Sequence, residues 1–178
     1  MNAAHHGTLQ PTEHDPTLPA AVLPEDPVAF IARAEQATNT CDTDWPMTIY
    51  APTIRLETIG DGVHDIHHGA DAVRPALETI YEWFADVDAH ITKTLIATSH
   101  DTVVNTWHGT LFGGRQTTYG AELWRFDPTG HVTHNTLYTA MNPKPPSHPI
   151  TGMRMLIGHP RPSLAFLNLR IRKALRAD

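Results

Sequence analysis

The chain has 178 residues, of which 40% are hydrophobic and one is a cysteine. This length suits one well-buried domain with extensions rather than two full domains. The single Cys41 excludes an intramolecular disulfide framework and a cysteine-rich zinc module. Residues 1–24 lack the basic start and apolar run of a secretory signal, and no apolar run is long enough for a membrane span, so we expect a cytoplasmic protein.

Charge is unevenly distributed along the chain. Up to Asn142, 6 Lys and Arg stand against 18 Asp and Glu, a net charge of −12, whereas the remainder holds 7 basic residues against one Asp, a net charge of +6. Because binding to phosphates needs a basic surface, the acidic body predicts that nucleic acid is not a partner.

Composition divides the chain into four parts. Residues 1–25, rich in Pro, Thr and His, predict a flexible arm, and residues 26–142 predict a folded domain. Residues 143–162 are rich in proline and read as a linker, whereas residues 163–178 predict a basic amphipathic helix. We expect this helix to dock on the acidic body or on a second subunit, with reversible contact with an anionic membrane as the alternative.

Helical signals dominate the first half of the domain. Asp26-Pro27 is an N-cap followed by proline at the first helical position, which predicts a helix to about Asn39. A short second helix is expected over 45–50. Apolar residues at helical spacing then predict a long amphipathic helix over 71–85.

Strand signals dominate the second half. Residues 53–58 alternate with period two, and four β-rich segments follow at 90–99, 102–112, 117–126 and 132–140, separated by turn signals. Helices followed by an antiparallel meander are typical of an α+β domain, with the helices packed on one face of the sheet.

Three segments of this domain resemble the ketosteroid isomerases and the related SnoaL-like cyclases of the nuclear transport factor 2-like superfamily. They cover the first strand, the start of the long helix and the third strand of the meander with its turn. The segments are Leu56-Glu57-Thr58-Ile59-Gly60, Gly69-Ala70-Asp71-Ala72-Val73-Arg74, and Glu122-Leu123-Trp124-Arg125-Phe126 with Gly130-His131-Val132. The resemblance implies N-terminal helices packed on a strongly curved antiparallel sheet, a cone-like, cystatin-like half-barrel that encloses a pocket, and it implies a homodimer.

The resemblance also implies two catalytic carboxyl groups. Glu57 falls where the isomerases keep a general-base aspartate. Glu122 falls where they keep a protonated aspartate that donates a hydrogen bond to the developing oxyanion, a pattern known from that isomerase. Strand alternation independently puts Glu122 on the face shared with Trp124.

One oxyanion donor of the isomerases is missing from this sequence. The tyrosine that they carry on the first helix corresponds by spacing to Ala34. Losing such a donor costs about 3 kcal/mol of transition-state stabilisation where it has been measured. Polar side chains in the domain that are candidates for a replacement donor are Tyr50, Asn105, His108, Tyr119, Asn135 and Tyr138.

Aromatic and polar side chains supply candidates for substrate binding. Tryptophans and tyrosines suit the wall of a cavity for a flat or cyclic molecule, although they suit an ordinary core equally. His108 is an acid/base candidate because an imidazole titrates near neutral pH, with a structural histidine as the alternative. The predicted binding residues are Tyr50, Trp83, Trp107, His108, Tyr119, Trp124 and Asn135.

The sequence offers weak grounds for a metal or a cofactor. Five His and Asp side chains cluster in one stretch and have metal-ligand chemistry, but their spacing fits no metal motif, so we predict a solvated rim of the pocket and no metal site. The cluster is Asp61, His64, Asp65, His67 and His68. No glycine-rich phosphate loop, nucleophile elbow or dinucleotide fingerprint is present, so we expect no cofactor.

The sequence therefore supports two functional hypotheses. The first is an acid/base enzyme of the isomerase, cyclase or dehydratase type, acting on an apolar cyclic carbonyl compound such as a polyketide, terpenoid or steroid-like ring. The second is a non-catalytic domain that binds a small ligand or dimerises, and the absence of the first-helix tyrosine favours it.

Overall fold

The computed structural model describes residues 20–141 and, beyond them, only the positions 153, 157, 158, 161, 164 and 168. The predicted arm up to residue 19, the linker over 143–162 and the basic helix over 163–178 therefore lie outside the described residues, apart from those single positions. Ala21 and Leu23 pack against the core, and the Val22 amide donates to the Asp127 carbonyl, so the packed chain extends a few residues before the predicted start at Asp26.

Residues 20–141 place helices before the sheet, as the hydrophobic periodicity predicts. The elements in chain order are α1 (Pro27–Asn39), α2 (Asp44–Ile49), β1 (Tyr50–Gly60), β2 (Val63–His68), α3 (Ala70–Asp86), β3 (His90–Thr98), β4 (Thr102–Leu111), β5 (Gln116–Phe126) and β6 (Val132–Met141). Asp26 caps α1 by accepting the amides of Val28 and Ala29, as predicted. The α+β class is confirmed.

The sheet has six strands in the order β2–β1–β6–β5–β4–β3 and remains open, with β2 and β3 at its edges. It differs from the expected antiparallel sheet because β1 runs parallel to β6, whereas all other pairs are antiparallel. In the chain, α3 and the four strands β2 to β5 separate β1 from β6, so the parallel pair joins distant segments. Register shifts in three of the strand pairs bend the sheet locally.

The helices cover one face of the sheet, which we call the inner face. Ile31 of α1 and Val73 of α3 are buried against Leu56, Val103 and Trp124 of the strands. Helix α1 is tied to edge strand β3 by side chains as well: the Asn39 amide bonds to both the amide and the carbonyl of Ile91. These contacts leave a cavity between the helices and the centre of the sheet.

None of the helices within the described part of the chain is both long enough and apolar enough to cross a membrane.

Candidate active site

A mostly apolar cavity lies between the inner face of the sheet and helices α1, α2 and α3. Aromatic rings form much of its wall, together with aliphatic side chains from the helices and strands. The rings and aliphatic groups include Trp45, Tyr81, Trp107, Trp124, Leu56, Leu77, Ile80, Phe84, Ile91 and Leu137. The volume of the cavity is about 60 Å³, below the ~150 Å³ of an engineered cavity that accepts benzene. A ring-sized ligand therefore requires outward movement of the half-buried side chains.

A buried ion pair lies at the floor of this cavity. The Lys93 ammonium donates to Glu122 Oε2 at 2.7 Å, and the side chains are 7% and 4% exposed. The same ammonium lies 5.5 Å from the centre of the Trp124 ring, where the ring face attracts a cation. Isolated charges are strongly disfavoured in an apolar interior, so each of these two groups depends on the other.

Polar side chains of β1 and β6 complete the floor. Asn135 Nδ2 donates to Glu122 Oε1 at 3.5 Å, and the Tyr50 hydroxyl donates to Asn135 Oδ1 at 3.3 Å. Burial raises the pKa of Tyr50 well above its ordinary value, and the nearby charge of Glu122 adds to the rise. Tyr50 therefore stays a neutral hydrogen-bond donor beside the ion pair.

A second buried phenol faces the same carboxylate from helix α3. Burial raises the pKa of Tyr81, and the charge of Glu122 raises it further. Tyr81 lines the cavity opposite the sheet, together with Thr38 of α1. Two neutral phenols are thus positioned around the ion pair, although Ala34, which also lines the cavity, carries no hydroxyl.

Asn105 is buried directly beside Glu122 and Trp124. It is fully buried, pairs across the strands with Glu122, and accepts a 2.9 Å hydrogen bond from Trp124 Nε1 through Oδ1. Its Nδ2 has no hydrogen-bond partner among the described residues. Since Trp124 fixes the orientation of the amide, Asn105 presents an unpaired donor within the core.

Glu57 and Glu122, the two carboxylates that were expected to share one pocket, lie on opposite faces of the sheet. Leu56, Asn135 and Trp124 lie in register and are buried, so Glu57, one residue along β1, points to the opposite, outer face. There Glu57 contacts His64 at 2.7 Å and Arg55 at 2.9 Å. The hydrogen bond from His64 lowers the pKa of Glu57, and the charge of Arg55 acts in the same direction. The expectation that Glu57 and Glu122 face each other across one pocket is therefore wrong.

The role implied for Glu122 also changes. Its inward position agrees with the strand alternation, because Glu122 lines the cavity and is 3% exposed. The resemblance implied a protonated carboxyl that donates a hydrogen bond. The structure instead places the Lys93 ammonium on one oxygen and the Asn135 amide on the other, which is the setting of a carboxylate that accepts.

The predicted binding residues divide between the two faces of the sheet. Tyr50, Trp107, Trp124 and Asn135 line the cavity. His108 and Tyr119 form a cross-strand pair on the outer face, where they border a second pocket. Trp83 is 38% exposed on α3 and packs on Phe84 rather than lining the cavity. Among the candidate replacement donors, Tyr138 is also outward and 45% exposed.

The sequence-based interpretation missed Lys93 although a signal for it exists. Lys93 alternates with Ile91 and Leu95 on β3, and a period of two puts all three on one face. Ile91 is buried and Leu95 packs against the core, so the lysine between them had to point inward. A charge in the middle of an apolar strand face is the informative exception to the usual pattern.

The cluster of His and Asp side chains near β2 forms pairs rather than a ligand set. His64 bonds to Glu57, and His67 bonds to Asp65 at 3.0 Å. The Asp61 carboxylate accepts the amide of Met141. No group of three His, Cys, Asp or Glu side chains within the described ranges is arranged to hold a metal ion.

Comparisons with known proteins show similarity of structure rather than of sequence. No protein-family model and no curated protein matches the sequence. A steroid delta-isomerase from Pseudomonas aeruginosa is 18% identical, with a TM-score of 0.50 and coverage of 84% of this chain and 99% of that one. A putative ketosteroid isomerase from Kribbella flavida is 16% identical, with a TM-score of 0.51 and coverage of 68% and 83%.

A third similar structure is the epoxide hydrolase/cyclase-like enzyme SalBIII, which has a role in pyran ring formation in the polyether salinomycin. It is 14% identical, with a TM-score of 0.50 and coverage of 64% of this chain and 90% of that one. At these identities the similarity concerns the fold alone. The chain therefore has the fold shared by SnoaL-like, nuclear transport factor 2-like and ketosteroid isomerase-like proteins, which confirms the resemblance drawn from its sequence.

Proposed function

We propose that the protein is an acid/base enzyme of the isomerase, cyclase or dehydratase kind, acting on a small apolar cyclic carbonyl compound such as a polyketide, terpenoid or steroid-like ring. The observation that carries this proposal is the Lys93–Glu122 ion pair at the floor of an otherwise apolar cavity. Clefts of this composition, mostly apolar with a few convergent polar groups, are the usual form of small-molecule sites. The isomerases and the cyclase-like enzyme among the similar folds support the same reaction kind.

The two members of the pair have complementary roles in this proposal. Glu122 removes a proton from the carbon next to the substrate carbonyl, and Lys93 stabilises the negative charge that develops on the carbonyl oxygen. A cationic donor in a water-poor site is worth more than the same donor in water, which offsets the absence of a hydroxyl at Ala34. Asn135 donates to the second oxygen of the carboxylate and fixes its direction, and the Tyr50 hydroxyl donates in turn to Asn135. The chemistry uses side chains alone and needs no cofactor.

Exchange of the α-hydrogens of cyclopentanone in D₂O, followed by NMR, tests this role of Glu122. We expect the wild-type chain to accelerate exchange and Glu122→Gln to slow it roughly a hundredfold, because a positioned general base contributes about 10²–10⁴ in rate. Glu57→Gln is the matched control, since Glu57 lies on the outer face, and it should exchange as the wild type does. Equal rates for the wild type and Glu122→Gln would refute the proposal.

The alternative function is a non-catalytic domain that binds an apolar ligand in the same cavity. The specific observation in its favour is that Lys93 and Glu122 already satisfy each other, as a purely structural buried pair does. In that case cyclopentanone binds and perturbs the NMR signals of the indole groups, whereas its α-hydrogens exchange no faster than in buffer. A homodimer, contact of the C-terminal segment with a membrane and a cytoplasmic location stay predictions.

A further inference from the structure

Lys93 carries an amine, and the acid/base reaction proposed above uses its positive charge but not its capacity to act as a nucleophile. It lines the cavity and its side chain is 7% exposed, whereas the walls around it are aromatic and aliphatic. An amine shielded from water in an apolar pocket is the setting in which lysine attacks carbonyl compounds. Its position makes Lys93 the amine that a bound carbonyl carbon would meet.

A proton acceptor for this amine is already in contact with it. Glu122 Oε2 lies 2.7 Å from Lys93 Nζ, so transfer of one proton along this hydrogen bond leaves a neutral amine and a carboxylic acid. Two neutral groups are tolerated in an apolar cavity without further compensation. The Tyr50–Asn135 chain holds the carboxyl group in place while the proton moves.

We propose that Lys93 binds small apolar ketones and aldehydes covalently, as an imine, and this inference rests on the function proposed above for the same cavity. The neutral amine adds to the carbonyl carbon, and the resulting carbinolamine loses its hydroxyl group as water after taking the proton held by Glu122. The product is a protonated imine beside the regenerated Glu122 carboxylate. Removal of an α-hydrogen by Glu122 then gives the enamine, and return of a proton from Glu122 to that carbon restores the protonated imine. Addition of water to the imine releases the carbonyl compound and the Lys93 amine.

Charge balance in the cavity is consistent with this sequence of steps. The ammonium of Lys93 and the protonated imine each carry a single positive charge at nearly the same place. The Glu122 carboxylate therefore keeps a cationic partner when the substrate binds. A buried carboxylate without a cationic partner would be strongly destabilised. The Trp124 ring, 5.5 Å from the nitrogen, supports a cation in both states.

Reductive trapping tests the imine directly. The full chain is incubated with acetone, isobutyraldehyde or cyclopentanone in the presence of sodium cyanoborohydride, which converts a protonated imine into a stable secondary amine, and the modified lysine is located by peptide mass spectrometry. The chain contains only three lysines, Lys93, Lys144 and Lys173, so the assignment is unambiguous. We expect modification at Lys93 to exceed that at the other two lysines by about tenfold or more, because the cavity holds the carbonyl next to the amine.

Variants separate the nucleophile from its proton acceptor. Lys93→Arg keeps the positive charge and should lose the adduct at this position, whereas the Lys144→Arg, Lys173→Arg double variant should keep it. Glu122→Gln should slow adduct formation roughly a hundredfold because the proton acceptor is lost, and circular dichroism verifies that each variant is folded. An adduct found only at Lys144, Lys173 or the N-terminal amine, with Lys93 unmodified by all three carbonyl probes, overturns the inference.

The failure of this inference differs from the failure of the proposed function. If Lys93 is never trapped but Glu122→Gln abolishes α-hydrogen exchange, Lys93 acts only as a non-covalent donor and the imine is wrong. If Lys93 is trapped but the wild-type chain does not accelerate exchange, the imine stands as a mode of binding and the acid/base function is wrong.

Discussion

The Lys93–Glu122 pair is the residue-level feature on which both proposals depend, and its contribution to stability is open to measurement. Removing one partner leaves the other charge buried and uncompensated, which costs about 3–5 kcal/mol. We therefore expect Lys93→Met to lower the free energy of unfolding by about that amount in urea titrations. The small exposures of the two side chains, 7% and 4%, justify treating the pair as buried.

A double variant is the matched control for this prediction. Lys93→Met combined with Glu122→Leu replaces the pair by apolar groups of similar size, which is often neutral or stabilising. We expect the double variant to recover most of the loss in unfolding free energy while losing any catalytic activity. A double variant as unstable as Lys93→Met alone would contradict the assignment of the loss to an uncompensated charge.

His134 on the outer face predicts a pH dependence of stability. Burial lowers its pKa below the ordinary value of 6.5, and the charges of Arg125 and Arg55 lower it further, whereas Glu57 opposes them. The unfolded chain therefore binds the proton first as pH falls. The contribution of His134 to stability is full above pH 6.5 and is lost as pH falls through its lowered folded pKa.

Replacement of the imidazole isolates this contribution. His134→Gln should flatten the decline in urea-unfolding free energy between about pH 8 and about pH 5. Glu57 also has a lowered pKa, but its ordinary value is 4.5, so the loss that it causes occurs at lower pH. An unchanged decline in His134→Gln would show that other groups cause it.

At the scale of the elements, alternation along the strands indicates the direction of both carboxylates, whereas the motif resemblance misplaces Glu57. On β5, Glu122 is flanked on its own face by the bulky Trp124, so the inward direction is readable from the sequence. On β1, the buried Ile54 and Leu56 share the inner face and Arg55 and Glu57 share the outer face, so the alternation indicates an outward Glu57. The motif resemblance then decided the direction, and a shift of one residue reverses the face. The parallel β1–β6 pair was missed because it is a contact between distant parts of the chain.

Strand β5 contains a glycine whose side-chain space is already occupied. A Cβ at Gly120 would overlap the Trp107 indole on the neighbouring strand β4 and the Tyr138 carbonyl on β6. The carbonyl is backbone and cannot move without shifting the strand, so we expect Gly120→Ala to destabilise the fold by about 1–3 kcal/mol. Because Trp107 lines the cavity, its fluorescence spectrum should also shift.

The control for Gly120→Ala is Gly158→Ala. A Cβ at Gly158 meets no atom within 4 Å among the described residues, so its substitution should leave unfolding and fluorescence unchanged. Equal stability of Gly120→Ala and the wild type would mean that the close approach of Trp107 to β5 is not maintained in solution.

At the scale of the whole molecule, the α+β class and the order of helices before strands followed from hydrophobic periodicity, because both are properties of local sequence. The set of residues that form the site could not be predicted from hydrophobic periodicity. Lys93 on β3, Glu122 on β5 and Tyr81 on α3 meet only because the sheet order and helix packing bring distant segments together. Spacing within one segment carries no information about contacts between distant segments, so the Lys93–Glu122 ion pair could not be predicted from the sequence.

The helices that close over the sheet limit the size of the ligand that the cavity accepts. Phe84 lines the cavity from α3 and is half-buried, whereas the adjacent Trp83 is exposed and does not line it. Truncating Phe84 to Ala should enlarge the cavity beyond its about 60 Å³ and strengthen binding of a two-ring probe such as 2-naphthol, measured by calorimetry, because the closed side chain no longer has to move. The same change should lower the free energy of unfolding by roughly 2 kcal/mol, since apolar contacts are lost.

The matched control is Trp83→Ala, which removes a larger ring from the preceding position of the same helix and should leave 2-naphthol affinity unchanged. If instead Trp83→Ala alters the affinity and Phe84→Ala does not, the ligand enters from another side of α3 and the cavity described above is not its site.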